Sequence, residues 1–263
     1  MFKKFIPFLI CVAILLSGCT DTATSSSTNN KTDNISVSLN GMSYPLEKSG
    51  DAGQSYIDSF IFLGESTTYH LKSRGVLSGG KNTDQVWGPK SGTLMLDPST
   101  ASCRIVYPET EEEIDISEAV KRKKPKYILL TFGLNGAAKF ISKGKDYFIS
   151  CYEKLINTIV SASPDTEVML QSCFPVAKNM DMTNYSISIS TLNEYIDVIN
   201  EWSRALAKDR SIAYLNTAEI LKNEKGALID EYQAGDGYHL TKQAYIKILE
   251  YIRTHAHPKE EQK

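Results

Sequence analysis

The chain has 263 residues, a formal net charge of -2 and 23% charged side chains of both signs, a balance that leaves no basic footprint for nucleic acid. Its 41% of hydrophobic residues suffices for one domain with a sizeable core. The five cysteines have no metal-ligand spacing, and no motif asks for a metal or cofactor.

In chain order, residues 1–18 read as a targeting segment, with Lys3 and Lys4 before an apolar run too short for a comfortable membrane span. Residues 19–34 are dominated by Thr, Ser, Asn and Asp and read as a disordered tether. A strict alternation at 35–39 suggests an edge strand, and the apolar run 57–63 a short buried strand followed by a helix over 67–72. The glycine-rich stretch 75–98, carrying Trp87, is expected to be a long functional loop region. A short helix is predicted over 114–123, ending in a Lys/Arg cluster that suits the helix dipole.

Residues 127–132 are almost wholly apolar, as a central parallel strand buried on both faces requires. Phe148, Tyr152, Leu155, Ile156 and Ile159 recur at helical spacing and predict a helix over 146–162. A strand at 167–171, a polar loop at 175–188 and a helix from about 190 to 208 follow. After them come a strand at 212–215, a short helix at 218–223 and a last helix at 241–254. The end, 257–263, is expected to be a frayed polar tail. Strands alternating with helices mean an α/β domain over 35–256, with a mainly parallel central sheet and helices on both faces.

Three places can carry chemistry. Ser66 follows Gly64 and Glu65 just past the first strand, where a tight turn presents a hydroxyl at the sheet edge that binds ligands, or merely caps the next helix. Asn135, in Gly133-Leu134-Asn135-Gly136, lies just past the central strand; its amide can hold a developing oxyanion, or the pair can simply be a turn. His239 stands before the last helix with Asp236 three residues earlier, a spacing that lets the carboxylate reach the imidazole. Of the other histidines, His255 and His257 fall near the end, and His70 is expected to point away from the serine turn. Thr241 is also a plausible helix cap. Cys173 is a further but weaker nucleophile candidate; like Cys151 it reads as a small core residue.

These blocks resemble those of the SGNH hydrolases, the GDSL-type esterases and lipases: Phe-Leu-Gly-Glu-Ser-Thr-Thr, Gly-Leu-Asn-Gly and Asp-Gly-Tyr-His-Leu-Thr stand in the family's order. The resemblance implies a flavodoxin-like three-layer α/β/α sandwich. It implies Ser66 as nucleophile, His239 as base and Asp236 as its orienting acid. Asn135, the Ser66 N–H and a glycine after the first helix, Gly88 or Gly92, would be the oxyanion donors. Glu65 replaces the family's usual Asp before the serine, and Gly136 replaces its usual Asp after the asparagine. Leu16-Ser17-Gly18-Cys19 is similar to the lipobox of bacterial lipoproteins, which implies lipidation of Cys19 and a membrane-anchored protein outside the cytoplasm; an ordinary signal peptide is the alternative.

The expected activity is esterase action, with removal of a small acyl group such as acetyl from a carbohydrate as the favoured substrate. A lysophospholipase or broad esterase and a catalytically impaired glycan-binding protein are the alternatives. Trp87 and Tyr185 are the aromatic candidates for a sugar face. Oligomeric state is open.

Overall fold

The computed structural model describes residues 42–183 and 186–260. The expectations for the leader, Cys19, the tether, the strand at 35–39 and Tyr185 therefore lie outside the described residues.

Helix α1 (Gly53–Asp58) leads into strand β1 (Phe60–Gly64) and helix α2 (Ser66–Ser73). Then come β2 (Val86–Trp87), the hairpin β3 (Arg104–Val106) and β4 (Glu113–Asp115), and α3 (Ile116–Lys123). Strand β5 (Tyr127–Thr131) precedes α4 (Ala137–Lys143) and α5 (Lys145–Ala162). Strand β6 (Glu167–Gln171), α6 (Ile189–Asp209), β7 (Ala213–Leu215) and α7 (Lys242–Thr254) complete the order. The main sheet runs β2-β1-β5-β6-β7, and every neighbouring pair in it is parallel.

The strands are apolar on both sides because both sides are covered. Alternate residues go to opposite faces. Ile61, Leu63, Ile128, Leu130, Val168, Leu170 and Tyr214 pack with α3, α5 and α6. Phe60, Phe62, Tyr127, Leu129, Met169, Ala213 and Leu215 pack with α1 and α7. The result is a three-layer α/β/α sandwich. In a parallel sheet all strand C-termini lie along one edge, so the segments after β1 and β5 meet there.

Four sequence expectations are corrected. The first strand starts at Phe60, because Ile57 and Asp58 end α1. Ser188, not Ser190, caps α6, accepting a hydrogen bond from the Thr191 N–H. The stretch 75–98 is not simply a loop: Val86 and Trp87 add an edge strand beside β1, and Trp87 is 2% exposed. A short strand bounded by glycine, proline and polar residues has too little pattern to announce itself. The end is docked as far as Glu260: His257 is buried, its N–H donates to the Tyr56 hydroxyl, and the Tyr127 hydroxyl donates to Glu260.

Candidate active site

The serine turn is dictated by close packing. A Cβ on Gly64 would come within 2.3 Å of the Thr68 Oγ1 and 2.4 Å of the Thr131 carbonyl oxygen, so only glycine lets β1 turn into α2 here. Glu65 is the N-cap of α2 in extended conformation and Ser66 is the first helical residue. The cap expectation for Ser66 thus moves one residue back, which releases its hydroxyl for another partner. The Glu65 carbonyl accepts from the Thr68 and Tyr69 N–H groups, while the Ser66 N–H stands at the very start of the helix, ahead of its first internal hydrogen bond.

The Glu65 side chain holds a second segment in place. It is 2% exposed; its Oε1 accepts from the Gly133 N–H at 3.0 Å, and the Asn135 N–H reaches its Oε2 at 3.0 Å. Burial pushes the carboxyl up to about 8, against the pull of these backbone hydrogen bonds. The carboxylate missing at Gly136 is thereby offset: Glu65, adjoining the serine, ties the Asn135 loop to the serine turn. Gly136 instead takes a left-handed conformation (φ 94°) as the N-cap of α4. The Asn135 side-chain amide is half-buried and has no hydrogen-bond partner among the described residues.

The third segment organises itself locally. Asp236 Oδ1 accepts from the Tyr238 and His239 N–H groups at 3.1 and 2.9 Å, so the loop folds around its own carboxylate. Its Oδ2 lies 2.7 Å from His239 Nδ1. Burial opposes ionisation of Asp236, but the hydrogen bonds from the His239 backbone, the His239 ring and the Tyr238 backbone outweigh it and hold the carboxyl below its ordinary value. Gly237 (φ 85°) is pressed against residue 180: a Cβ there would sit 2.5 Å from the Met180 Cα. Thr241 caps α7, as expected, accepting from the Ala244 N–H.

These segments converge. His239 Nε2 is 2.9 Å from Ser66 Oγ. An ionised carboxylate only accepts, so Nδ1 carries the proton and Nε2 offers its lone pair to the serine hydroxyl. Ser66, His239 and Asp236 form one hydrogen-bonded row, able to draw a proton from the hydroxyl and to stabilise the imidazolium that results. Two ties bind the histidine loop and α7 to the serine helix: Arg74 Nε donates to the Leu240 carbonyl at 3.2 Å, and the Tyr245 hydroxyl to the Thr67 carbonyl at 2.6 Å.

The other candidates separate. The Leu94 N–H donates to the Gly64 carbonyl, which brings the 92–94 segment against the serine turn, but the Gly92 N–H is already committed to the Pro89 carbonyl at 2.9 Å. Gly88 sits past β2, its carbonyl accepting from Val106. Gly92 therefore offers no third donor, whereas Gly88, engaged through its carbonyl, stays the candidate. Trp87 is in the core beside Tyr107 and cannot meet a ligand. Cys173 is buried, and burial pushes its thiol far above the ordinary range, so it is no nucleophile.

One residue is misplaced by the sequence reading and one went unnoticed. His70 does not point away: its ring stacks on His239 with centroids 4.1 Å apart. Tyr69, 41% exposed, stands one turn beyond Ser66 and packs against Gly92. Their spacing from Ser66 (i+3 and i+4 on one helix) is the signal that could have found both.

A family model described as GDSL-like Lipase/Acylhydrolase family matches residues 62–246. Among solved structures, an acylhydrolase from Bacteroides fragilis is similar over 74% of this chain and 84% of its own, at 16% identity and a TM-score of 0.51. A GDSL-like lipase from Bacteroides thetaiotaomicron is 22% identical over 55% of this chain and 66% of its own, with a TM-score of 0.43. A structure titled as a peptidoglycan O-acetylesterase matches over 52% of this chain and 38% of its own, at 14% identity and a TM-score of 0.38. No curated protein matches the chain.

Proposed function

Because the chain belongs to the GDSL-like lipase/acylhydrolase family and is thus a hydrolase of ester bonds, we propose that it is a cell-surface serine esterase that removes small acyl groups, acetyl foremost, from a carbohydrate or cell-envelope glycan. The observation that carries the chemistry is the row Ser66–His239–Asp236, closed by contacts of 2.9 and 2.7 Å. His239 takes the Ser66 proton as Oγ attacks the ester carbonyl. The oxyanion is held by the Ser66 N–H and the Asn135 amide. The tetrahedral intermediate expels the alcohol, which receives its proton from His239. Water, deprotonated by His239, then attacks the acyl-serine, releasing the carboxylic acid and restoring Ser66.

The substrate class rests on the surface beside the serine helix. A groove of about 580 Å³ is lined by Tyr69, Lys72, Asn82 and Lys90 alongside the apolar Val86 and Pro89. An exposed aromatic ring flanked by an amide and two ammonium groups suits a sugar better than a fatty chain. Tyr69 takes the part that the sequence suggested for Trp87.

Acetate release from acetylated glycans, run beside fatty-acid release from phospholipids, tests the reading. Ser66→Ala should lose at least about 10³-fold in kcat, and acetate should be the preferred product. Undiminished hydrolysis by that variant would remove Ser66 from the nucleophile role, and preferential fatty-acid release would move the substrate to lipid. The membrane location rests on the Leu16-Ser17-Gly18-Cys19 run. Its test is metabolic labelling with palmitate: wild type should be labelled and sediment with membranes, and Cys19→Ala should do neither.

A further inference from the structure

The hydrogen bond to Asp236 fixes one edge of the His239 ring but leaves the ring free to rock about that bond. The structure supplies a second constraint from an unexpected quarter. His70 lies four residues after Ser66 on α2. Helical side chains at i and i+4 share a face, and they lean toward the helix N-terminus. His70 therefore leans toward the hydroxyl end of its own helix, where His239 arrives from the loop before α7. The two rings stack with centroids 4.1 Å apart and an interplanar angle of 29°. The Tyr238 ring lies at the same centroid distance from His239, tilted by 42°.

We propose that His70 is a positioning residue for His239, its stacked ring holding the imidazole plane in line with Ser66 Oγ. The inference rests on the reading of Ser66, His239 and Asp236 as an esterase triad.

Its electrostatics suit the role. His70 Nδ1 is buried without a hydrogen-bond partner among the described residues. The titratable and charged groups facing the ring are His239 and Asp236 from the loop before α7 and Arg74, the C-cap of α2; the phenol of Tyr245, from α7, lies one turn nearer the helix start, at Thr67. Burial first, then His239 and Arg74, lower His70 to about 4, with Asp236 opposing. At neutral pH the residue is an uncharged platform. A charged one would stand against the imidazolium that forms as Ser66 attacks. Position 70 thus asks for a flat ring that stays neutral.

The test is the pH dependence of kcat and KM with p-nitrophenyl acetate, for wild type, His70→Ala, His70→Phe and His70→Lys, with thermal unfolding as a check on the fold. His70→Ala should lower kcat about tenfold and leave KM within about twofold, the pattern of a lost alignment rather than lost binding. His70→Phe, flat and uncharged, should recover kcat to within about threefold of wild type. His70→Lys should lower the plateau and displace the acidic limb of kcat/KM toward lower pH, because a fixed cation disfavours a protonated neighbour. A purely structural role would lower the unfolding temperature without moving that limb. Wild-type kcat and pH profile in His70→Ala, or equal impairment of His70→Ala and His70→Phe, would overturn the inference. Ser66→Ala separates the two levels: if it retains hydrolysis, the triad reading falls and the inference with it. If it is inactive while His70→Ala behaves as wild type, the inference alone falls.

Discussion

The serine turn and the histidine loop bring the two halves of the reacting pair together, but they are held by different means. The serine turn is anchored to the core. Gly64 is wedged between Thr68 and Thr131, and the buried Glu65 carboxyl grips the backbone of residues 133 and 135, almost seventy positions away in sequence. The histidine loop is held by its own short-range bonds: Asp236, with 43% of its side chain exposed, gathers the next three residues around itself. Long-range ties dock it where the Ala177 N–H donates to the Gly237 carbonyl at 2.7 Å and where Met180, Arg74, His70 and Ser66 meet it. A nucleophile on a core-anchored turn cannot move far without unfolding the sheet edge. A base on a self-organised loop can be displaced while the fold survives. Damage to the first region should therefore register in stability, and damage to the second in activity.

The largest expected effect breaks the loop chemically. Asp236→Asn keeps the size but lets the amide donate, favouring the wrong imidazole tautomer, and kcat should fall by about 10⁴ with little change in unfolding temperature. A loss under about tenfold would mean that the carboxylate only shapes the loop. Two alanine substitutions then set the regions side by side. Gly64→Ala should cost about 1–3 kcal/mol, since its Cβ would meet a backbone carbonyl that cannot retreat, and calorimetry should show the unfolding temperature fall by roughly 3–10 °C. Gly237→Ala should lower kcat by roughly tenfold as the loop backs away from Met180, while the unfolding temperature moves less than in Gly64→Ala. The reverse pattern would refute the contrast.

The smallest effect concerns Glu65. Its folded value of about 8 stands above its ordinary 4.5. Between those two values the folded chain keeps a proton that the unfolded chain has lost, so this group's stability contribution declines as pH rises through that window. Glu65→Gln should flatten the fall of unfolding temperature between about pH 5 and pH 8. An unchanged slope would mean that the carboxyl is not held protonated by burial.

How much of this could be read without coordinates depends on how local each interaction is. The apolar runs of β1, β5 and β6 announced themselves because a strand covered on both faces has no polar positions. The spacing of Phe148 through Ile159 did the same for α5, whose apolar residues must face the sheet. The contact between Asp236 and His239 was legible because three residues of glycine-containing loop can close on themselves. The edge strand at Trp87 was not, because two residues carry no period and their partner, β1, lies more than twenty positions earlier. The docked end was not, because its hold on the body runs through Tyr56, Tyr127 and Glu167, none of them neighbours in sequence.

The sequence by itself determined the α/β alternation, the order of the three chemical segments and the residues at their tips, since periodicity and short spacings act within a few residues. Tertiary structure alone decided that Glu65 clamps the Asn135 loop, that Tyr69 and not Trp87 faces solvent, and that His70 stacks on His239. Each of these turns on the direction in which a side chain leaves its element and on what the sheet and helices bring opposite it, and a linear pattern does not encode that.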